Sequence, residues 1–308
     1  MLALVVLVVL LLRGWLVDLV SSPRASTFVT VFVSIIIQAL PFLVLGTLLS
    51  AAITAFVPPR FFDRALPRKP VAAVPVAGVA GVLLPACECG SVPVAGALIR
   101  RGVAPAAAFT FLLASPAINP IVMVSTAVAF PGEPAMVLAR FVASLLTAIG
   151  MGWLWLRLGR PEWLSVQRIP DSHAERGWPA FWATCRHDVV QAGGFLVIGA
   201  FAAGALNVAM PPRWLEAIAD SGFFAIIAMA LLAVLLSICS EADAFVAASL
   251  SQFSLTARLA FLVVGPMVDL KLFAMQVGSF GPRFALRFAP ATLVLGVLVA
   301  VLVGAVMF

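Results

Sequence analysis

Residues 38–62 read QALPFLVLGTLLSAAITAFVPPRFF, and residues 191–215 read QAGGFLVIGAFAAGALNVAMPPRWL. At a constant offset of 153, Gln38 falls on Gln191, Phe42 on Phe195, Gly46 on Gly199, and Pro58-Pro59-Arg60 on Pro211-Pro212-Arg213. Two unrelated apolar helices align leucine on leucine by composition alone. They do not readily share a glutamine and a Pro-Pro-Arg stop, so the chain carries an internal repeat.

The repeat extends outward with small slips. LLPACECGSVPVAGAL from Leu83 resembles LLSICSEADAFVAASL from Leu235, placing Cys87 on Cys239 and Leu98 on Leu250. FLLASPAINP from Phe111 resembles FLVVGPMVDL from Phe261, placing Pro116 on Pro266 and Asn119 on Asp269. Each unit reads as a helix, a broken segment, a Pro-interrupted helix and a final helix. The final helices, near 134–157 and 285–308, show little similarity to each other.

Composition decides the solvent. Of 308 residues, 63% are hydrophobic and 10% charged, against roughly 25% charged in soluble domains. Apolar runs of the length that spans a bilayer recur along the chain. The fold class expected is an all-α polytopic membrane protein: two homologous, inverted repeats with broken or re-entrant segments, plus one extra N-terminal helix. The expected divisions are an N-terminal transmembrane helix over 1–27, repeat 1 over 28–158, a polar cytoplasmic linker over 159–187 and repeat 2 over 188–308. Residues 1–20 lack a positive n-region and a clear cleavage site, so they read as a retained helix rather than a signal peptide.

The net charge of +6 does not make a nucleic-acid binder, because the cations sit in short loops rather than in a basic face with aromatics. In a membrane chain such loops report orientation. If every apolar segment crosses, nine helices result and the cations divide almost evenly. If 71–99 and 222–250 instead enter and return on one side, one face gathers Arg60, Arg64, Arg68, Lys69, Arg100, Arg101, Arg283, Arg287 and the linker arginines. The other keeps Arg24, Arg213 and Arg258. The second arrangement obeys the positive-inside rule and makes the two units inverted, a common transporter plan. Kinked full crossings with parallel repeats are the rival. Trp163, Trp178 and Trp182 suit an interfacial belt at the linker.

Chemistry collects at the breaks. In Pro85-Ala86-Cys87-Glu88-Cys89-Gly90-Ser91-Val92-Pro93, two prolines and a glycine loosen the backbone. A loosened backbone at membrane depth survives only inside protein or beside water. Glu88 against lipid would cost about 2.5–3.5 kcal/mol even on insertion scales. The second break, Cys239-Ser240-Glu241-Ala242-Asp243, brings two carboxylates whose mutual repulsion is relieved by sharing a proton. Asn119 and Asp269 follow Pro116 and Pro266, where a freed backbone can line a cavity. Lys271 either neutralises Asp269 or snorkels, although residues two apart on a helix do not face each other. If the units pack about a twofold axis, Cys239 approaches Cys87 and Cys89. Three thiols there would suit a soft cation or a thiophilic metalloid, although a buried Cys is more often a small apolar filler. The candidate substrate-binding set is Cys87, Glu88, Cys89, Ser91, Asn119, Cys239, Ser240, Glu241, Asp243 and Asp269. Cys185, His173 and His187 read as incidental. No phosphate loop or nucleophile elbow is present, no cofactor is implied, and no metal centre has its full ligand set.

The run CECGSVPVAGALIRRGVAPAAAFTFLLASPAINP, with CSEADAFVAASL and FLVVGPMVDLKL in the second half, resembles the YraQ-type predicted permease family. That family includes the ArsP-type organoarsenical efflux permeases. The resemblance covers most of the chain from about Gln38 onward. It implies a multi-pass inner-membrane permease rather than an enzyme, with a small-molecule or ion substrate and the lipid bilayer as partners. Cysteines are implicated in binding trivalent arsenicals in the ArsP-like members, and here Cys87, Cys89 and Cys239 could serve. The leading expectation is a secondary transporter, exporting a small thiophilic or metalloid solute through a midplane site between the repeats. The alternative is a membrane thiol redox enzyme or sensor using Cys87 and Cys89. A homo-oligomer is compatible with either.

Overall fold

The computed structural model describes residues 23–58, 61, 62, 66, 67, 69–83, 87–165, 177–209 and 223–308. The expected N-terminal helix up to residue 22, Arg60, Arg64, Arg68, Pro85, Ala86, the linker segment 166–176 and Pro211-Pro212-Arg213 lie outside the described residues. Among the described residues the regular structure is helical throughout: α1 (Pro23–Phe56), α2 (Pro70–Ala80, extended by a 3-10 turn Gly81–Leu83), α3 (Glu88–Arg100), α4 (Pro105–Ile118), α5 (Pro120–Ala129) and α6 (Pro134–Leu158). After the linker come α7 (Trp178–Ala209), α8 (Phe223–Leu236), α9 (Asp243–Ser249), α10 (Leu255–Val264), α11 (Leu270–Phe280) and α12 (Pro282–Met307). Five helical stretches are long and apolar enough to cross a bilayer: Ala25–Phe56, Pro105–Ala129, Pro134–Leu158, Trp178–Leu206 and Pro282–Met307. The protein is a multi-pass, all-helical membrane protein.

Lipid explains the helix faces. Val294, Leu298, Leu302 and Val306 repeat every four residues along α12, and all are more than half exposed, which in water would be a liability and in hydrocarbon costs nothing. The opposite face buries Thr292, Gly296, Ala300 and Gly304, whose small size lets helices approach closely. α4 is the most enclosed span, with its residues from Ala106 to Ile118 all buried.

Contacts between helix ends sort the bundle into two faces. Phe56 at the end of α1 meets Trp178 and Phe181 at the start of α7. Phe109 near the start of α4 meets Trp155 near the end of α6, Phe280 at the end of α11 and Phe284 at the start of α12. These ends make the linker face, where Arg287 lies 4.6 Å over the Trp163 ring. On the far face Phe28 meets Phe201, Arg258 stacks on Phe130, and Thr256 touches Gly304.

The segment from α2 to α3 enters and returns on one side. Ala73 and Ala77 at the start of α2 share an apolar cluster with Val94 and Leu98 near the end of α3 and with Val103 and Ala107 beyond it. The tip reaches the middle of the bundle, where Gly81 presses on Ala114 and Ser115 of α4; a Cβ there would meet Ala114 at 2.8 Å. α9 runs from the second break toward the far face, where α10 begins. The second break includes Ser237 at φ +49°, a left-handed conformation that costs a non-glycine residue about 1–2 kcal/mol. Its hydroxyl accepts from the Leu270 N–H at 3.2 Å and its carbonyl from Lys271 Nζ at 2.9 Å. These two bonds hold the strained residue in place.

Candidate functional site

Four half-helices converge on the middle of the bundle, and their first turns carry the polar residues. α3 begins with Glu88, next to the N-cap Cys87. The partial positive charge of a helix N-terminus suits that carboxylate. α9 begins with Asp243. Asn119 caps α5 by accepting from the Val122 N–H at 3.0 Å, while its amide donates to the Ser115 carbonyl at 3.0 Å. Asp269 caps α11 in the same way, accepting from the Leu272 N–H at 2.6 Å. Asn119 and Asp269 therefore have equivalent backbone roles, each capping a helix that starts at a break.

Two buried cations tie these ends together. Lys271 Nζ lies 2.5 Å from Glu88 Oε1 and 3.5 Å from Asp269 Oδ2, and both pairs are fully shielded from solvent. It also lies 3.6 Å from Cys239 Sγ. Lys271 does not snorkel. It does reach Asp269, because Asp269 sits in the extended backbone of the break (φ −143°, ψ 173°) and the helical spacing rule does not apply there. Its closest carboxylate, however, comes from the other half of the chain. Arg140, fully buried on α6, donates to Asp243 Oδ2 at 2.7 Å, to the Ser240 carbonyl at 3.3 Å and to Thr126 on α5 at 2.8 Å. Glu241 is partly exposed and lies within electrostatic reach of Glu88, Lys271 and Arg140.

The thiols join this cluster. Cys87 and Cys89 are completely buried and Cys239 is 1% exposed. Cys89 interacts with Cys87 and lies within reach of Glu88 and Lys271. Cys239 lies within reach of Lys271, Glu88, Cys87 and Glu241. Among the described residues no group of three His, Cys, Asp or Glu side chains is arranged to hold a metal ion. Cys185 is buried away from this cluster on α7, where it lies near Thr47 and Asp188.

Several buried polar atoms have no hydrogen-bond partner: Glu88 Oε2, Glu241 Oε2, Asp243 Oδ1, Ser240 Oγ and Arg140 Nε. Orphans of this kind are uncommon and gather where a ligand or water completes the network. Among the described residues, the four carboxylates Glu88, Glu241, Asp243 and Asp269 share two cations, Lys271 and Arg140. Ser91, expected to contact substrate, donates to the Glu88 carbonyl at 3.0 Å and so supports the first turn of α3.

Sequence reasoning passed over Arg140 and gave Lys271 only a local role. Both carried a signal, an isolated cation inside an apolar run, which is expensive unless a buried partner meets it. It also passed over a second cluster toward the linker face, where Asp188 on α7 accepts from Ser50 on α1 at 2.5 Å and from Arg100 on α3 at 3.3 Å.

Comparison with known proteins agrees with this architecture. A Streptococcus mutans protein, named as a subunit of a two-component membrane permease complex, is 33% identical over 282 residues, covering 89% of this chain and 94% of its own. The UPF0718 protein YcgR of Bacillus subtilis is 36% identical over 262 residues, covering 83% of this chain and 89% of its own. No solved structure matches the chain significantly. Residues 24–305 match the ArsP_1 family, described as predicted permeases, and the chain belongs to that family.

Proposed function

We propose that this permease is a secondary transporter whose translocation site is the buried cluster joining the two broken segments. One observation carries it. The Glu88–Lys271 pair links α3 in the first half to α11 in the second, at the middle of the bundle and out of contact with solvent. Burying that pair costs several kcal/mol per ion before the mutual attraction is counted, and unpartnered carboxylate oxygens stand around it.

Cys87, Cys89 and Cys239 offer soft ligands to a small thiophilic or metalloid solute. Glu88, Glu241 and Asp243 carry protons or balance a cation. Asn119 and Asp269 hold the broken helices open at their caps. The two units, 28–158 and 188–308 joined by the linker 159–187, act as inverted copies that exchange the site between the two sides of the membrane. Opposite helix directions of α1 and α7, and of α6 and α12, support the inversion. Lys69, Arg100, Arg101, Arg157, Arg160, Arg283 and Arg287 belong to elements ending at the linker face and Arg258 to the far face, which supports a cytoplasmic linker face in a protein of the cell inner membrane. The reading as a thiol redox enzyme is weaker, because redox chemistry needs an accessible thiolate and all four cysteines are free and buried.

The test is flux in proteoliposomes, using a monosubstituted trivalent arsenical as the thiophilic probe. Cys87→Ser combined with Glu241→Gln abolishes flux while the protein stays folded. Flux that survives the double substitution removes this site. Co-purification of the native chain distinguishes a homo-oligomer from a complex with a second protein, the arrangement in the name of the Streptococcus mutans relative.

A further inference from the structure

We infer that the permease is held here closed at the linker face, and that transport swings α1 and α7 together from α3 and α11 onto α9 and α5. The inference rests on the midplane cluster being the translocation site, and it names the elements that gate it.

The half-helices divide by depth. α3 and α11 run from the middle of the bundle to the linker face, and α5 and α9 run from the middle to the far face. α1 and α7 span both halves and pack along each other. Among the described residues, α1 also packs along α3, and α7 along α11. Neither the α1–α5 pair nor the α7–α9 pair forms a comparable interface. Among the described residues, the helix pair therefore seals the linker half and leaves the far half without an equivalent seal.

The seal is backbone-tight. A Cβ on Gly46 would stand 2.3 Å from Gly90 Cα, and one on Gly199 would stand 2.4 Å from Lys271 Cα. Phe195 fills the space over Gly278. Asp188 then latches α7 to α1 through Ser50 and to α3 through Arg100. A cavity of about 20 Å³ beside Arg100, Asp188, Gln191 and Gly96 is large enough for one water and no solute. Toward the far face, Glu241 is partly exposed where Glu88 is fully buried, and Ile121 (47%), Val124 (62%) and Phe245 (50%) are uncovered.

Inverted copies have the same packing options, so each half can adopt the arrangement of the other. The place that Gly199 finds on Lys271 and Ala274 is then open to Gly46 on the equivalent Ile121 and Val124. The place of Phe195 on Gly278 is open to Phe42 on Val128, and that of Gly46 on Gly90 is open to Gly199 on Ala242. The latch does not carry over. The residues equivalent to Asp188, Ser50 and Arg100 are Ile35, Ala203 and Gln252, and the first two pack in an apolar cluster. An ionic lock at the linker face, with no counterpart at the matching positions, makes the linker-closed state the resting one. Ser50, Arg100 and Asp188 are thus positioning residues for the gate.

The experiment uses the full chain in proteoliposomes. Gly96→Cys, on the sealed side of α3, is labelled with a membrane-impermeant maleimide applied from the linker face. Phe42→Cys with Val128→Cys is separately tested for cross-linking, with the native protein and its buried thiols as the background. We expect little of either signal at rest. With Asp188→Asn, or with Arg100→Gln should the first variant fold poorly, labelling and cross-linking both rise at least about tenfold, the shift expected from losing one charge-assisted hydrogen bond. A latch-free variant that folds and shows neither signal overturns the gate, whether or not it transports. Both signals appearing without flux of the arsenical would leave the gate standing and count against the thiophilic substrate.

Discussion

The two breaks in the membrane resemble each other in sequence and do different work. At the first, Cys87 caps α3, Glu88 occupies its first turn, and the helix from Glu88 to Ala97 is buried throughout. The second is loose: Ser237 takes a left-handed conformation, several non-helical residues follow, and α9 spans only seven residues. The first break supplies an anion to a cation from the other half. The second supplies Asp243 to Arg140 on α6 and its carbonyls to both cations. Each opening is thus closed by a cation from another segment of the chain. Asn119 is neutral where Asp269 is charged, and Ile121 is apolar where Lys271 is cationic.

The sharpest way to break this comparison is to remove the cations. Lys271→Ala leaves Glu88 and Asp269 buried without a counter-charge, and Arg140→Ala leaves Asp243 so. Each costs about 3–5 kcal/mol, with the lysine variant at the upper end because two carboxylates lose their partner. Thermal unfolding in detergent measures both. Glu88→Gln combined with Lys271→Met, which removes one carboxylate charge with the cation but still leaves Asp269 without its partner, recovers part of the stability and none of the transport. Equal, mild effects below about 1 kcal/mol would show that neither cation is structurally tied to its break.

Next in size are the glycines pressed onto the two first turns. Gly46→Leu and Gly199→Leu force backbone apart from backbone and cost about 1–3 kcal/mol each, whereas Gly194→Ala, with open space around it, is close to neutral or slightly stabilising. Unfolding midpoints at constant detergent compare the three. Smaller again are the caps. Asn119→Ala costs about 1 kcal/mol, and Asp269→Ala costs more, because the same oxygen pair also serves Lys271. A cap loss equal at both positions would mean that the Asp269–Lys271 contact contributes nothing. Smallest is Ser237→Gly, where relief of the left-handed strain offsets the lost hydroxyl and the net change stays within about 1 kcal/mol.

Much of the site could be read beforehand. Glu88, Cys87, Cys89, Cys239, Glu241 and Asp243 were singled out because a carboxylate and a broken backbone are each costly in hydrocarbon, and together they require a protected interior. They do come together around Lys271 and Arg140. Asn119 and Asp269 were also marked, but their capping role depends on where α5 and α11 start, which the prolines alone did not specify. Arg140 was passed over because a single arginine in an apolar run has no partner in its own neighbourhood; its partner is 103 residues away in sequence.

From residue order alone came the solvent, the helical class and the positions of both breaks. These follow from hydropathy, from proline and from the cost of desolvating a charge, all of which act locally. Tertiary structure decided which break meets which cation, and that α1 and α7 close over α3 and α11 rather than over α5 and α9. The physical reason is that lipid treats every apolar helix face alike, so the choice among neighbours falls to close backbone contacts such as Gly46 on Gly90 and to ion pairs between distant segments. Neither reveals, from the segment that makes it, which distant segment it meets.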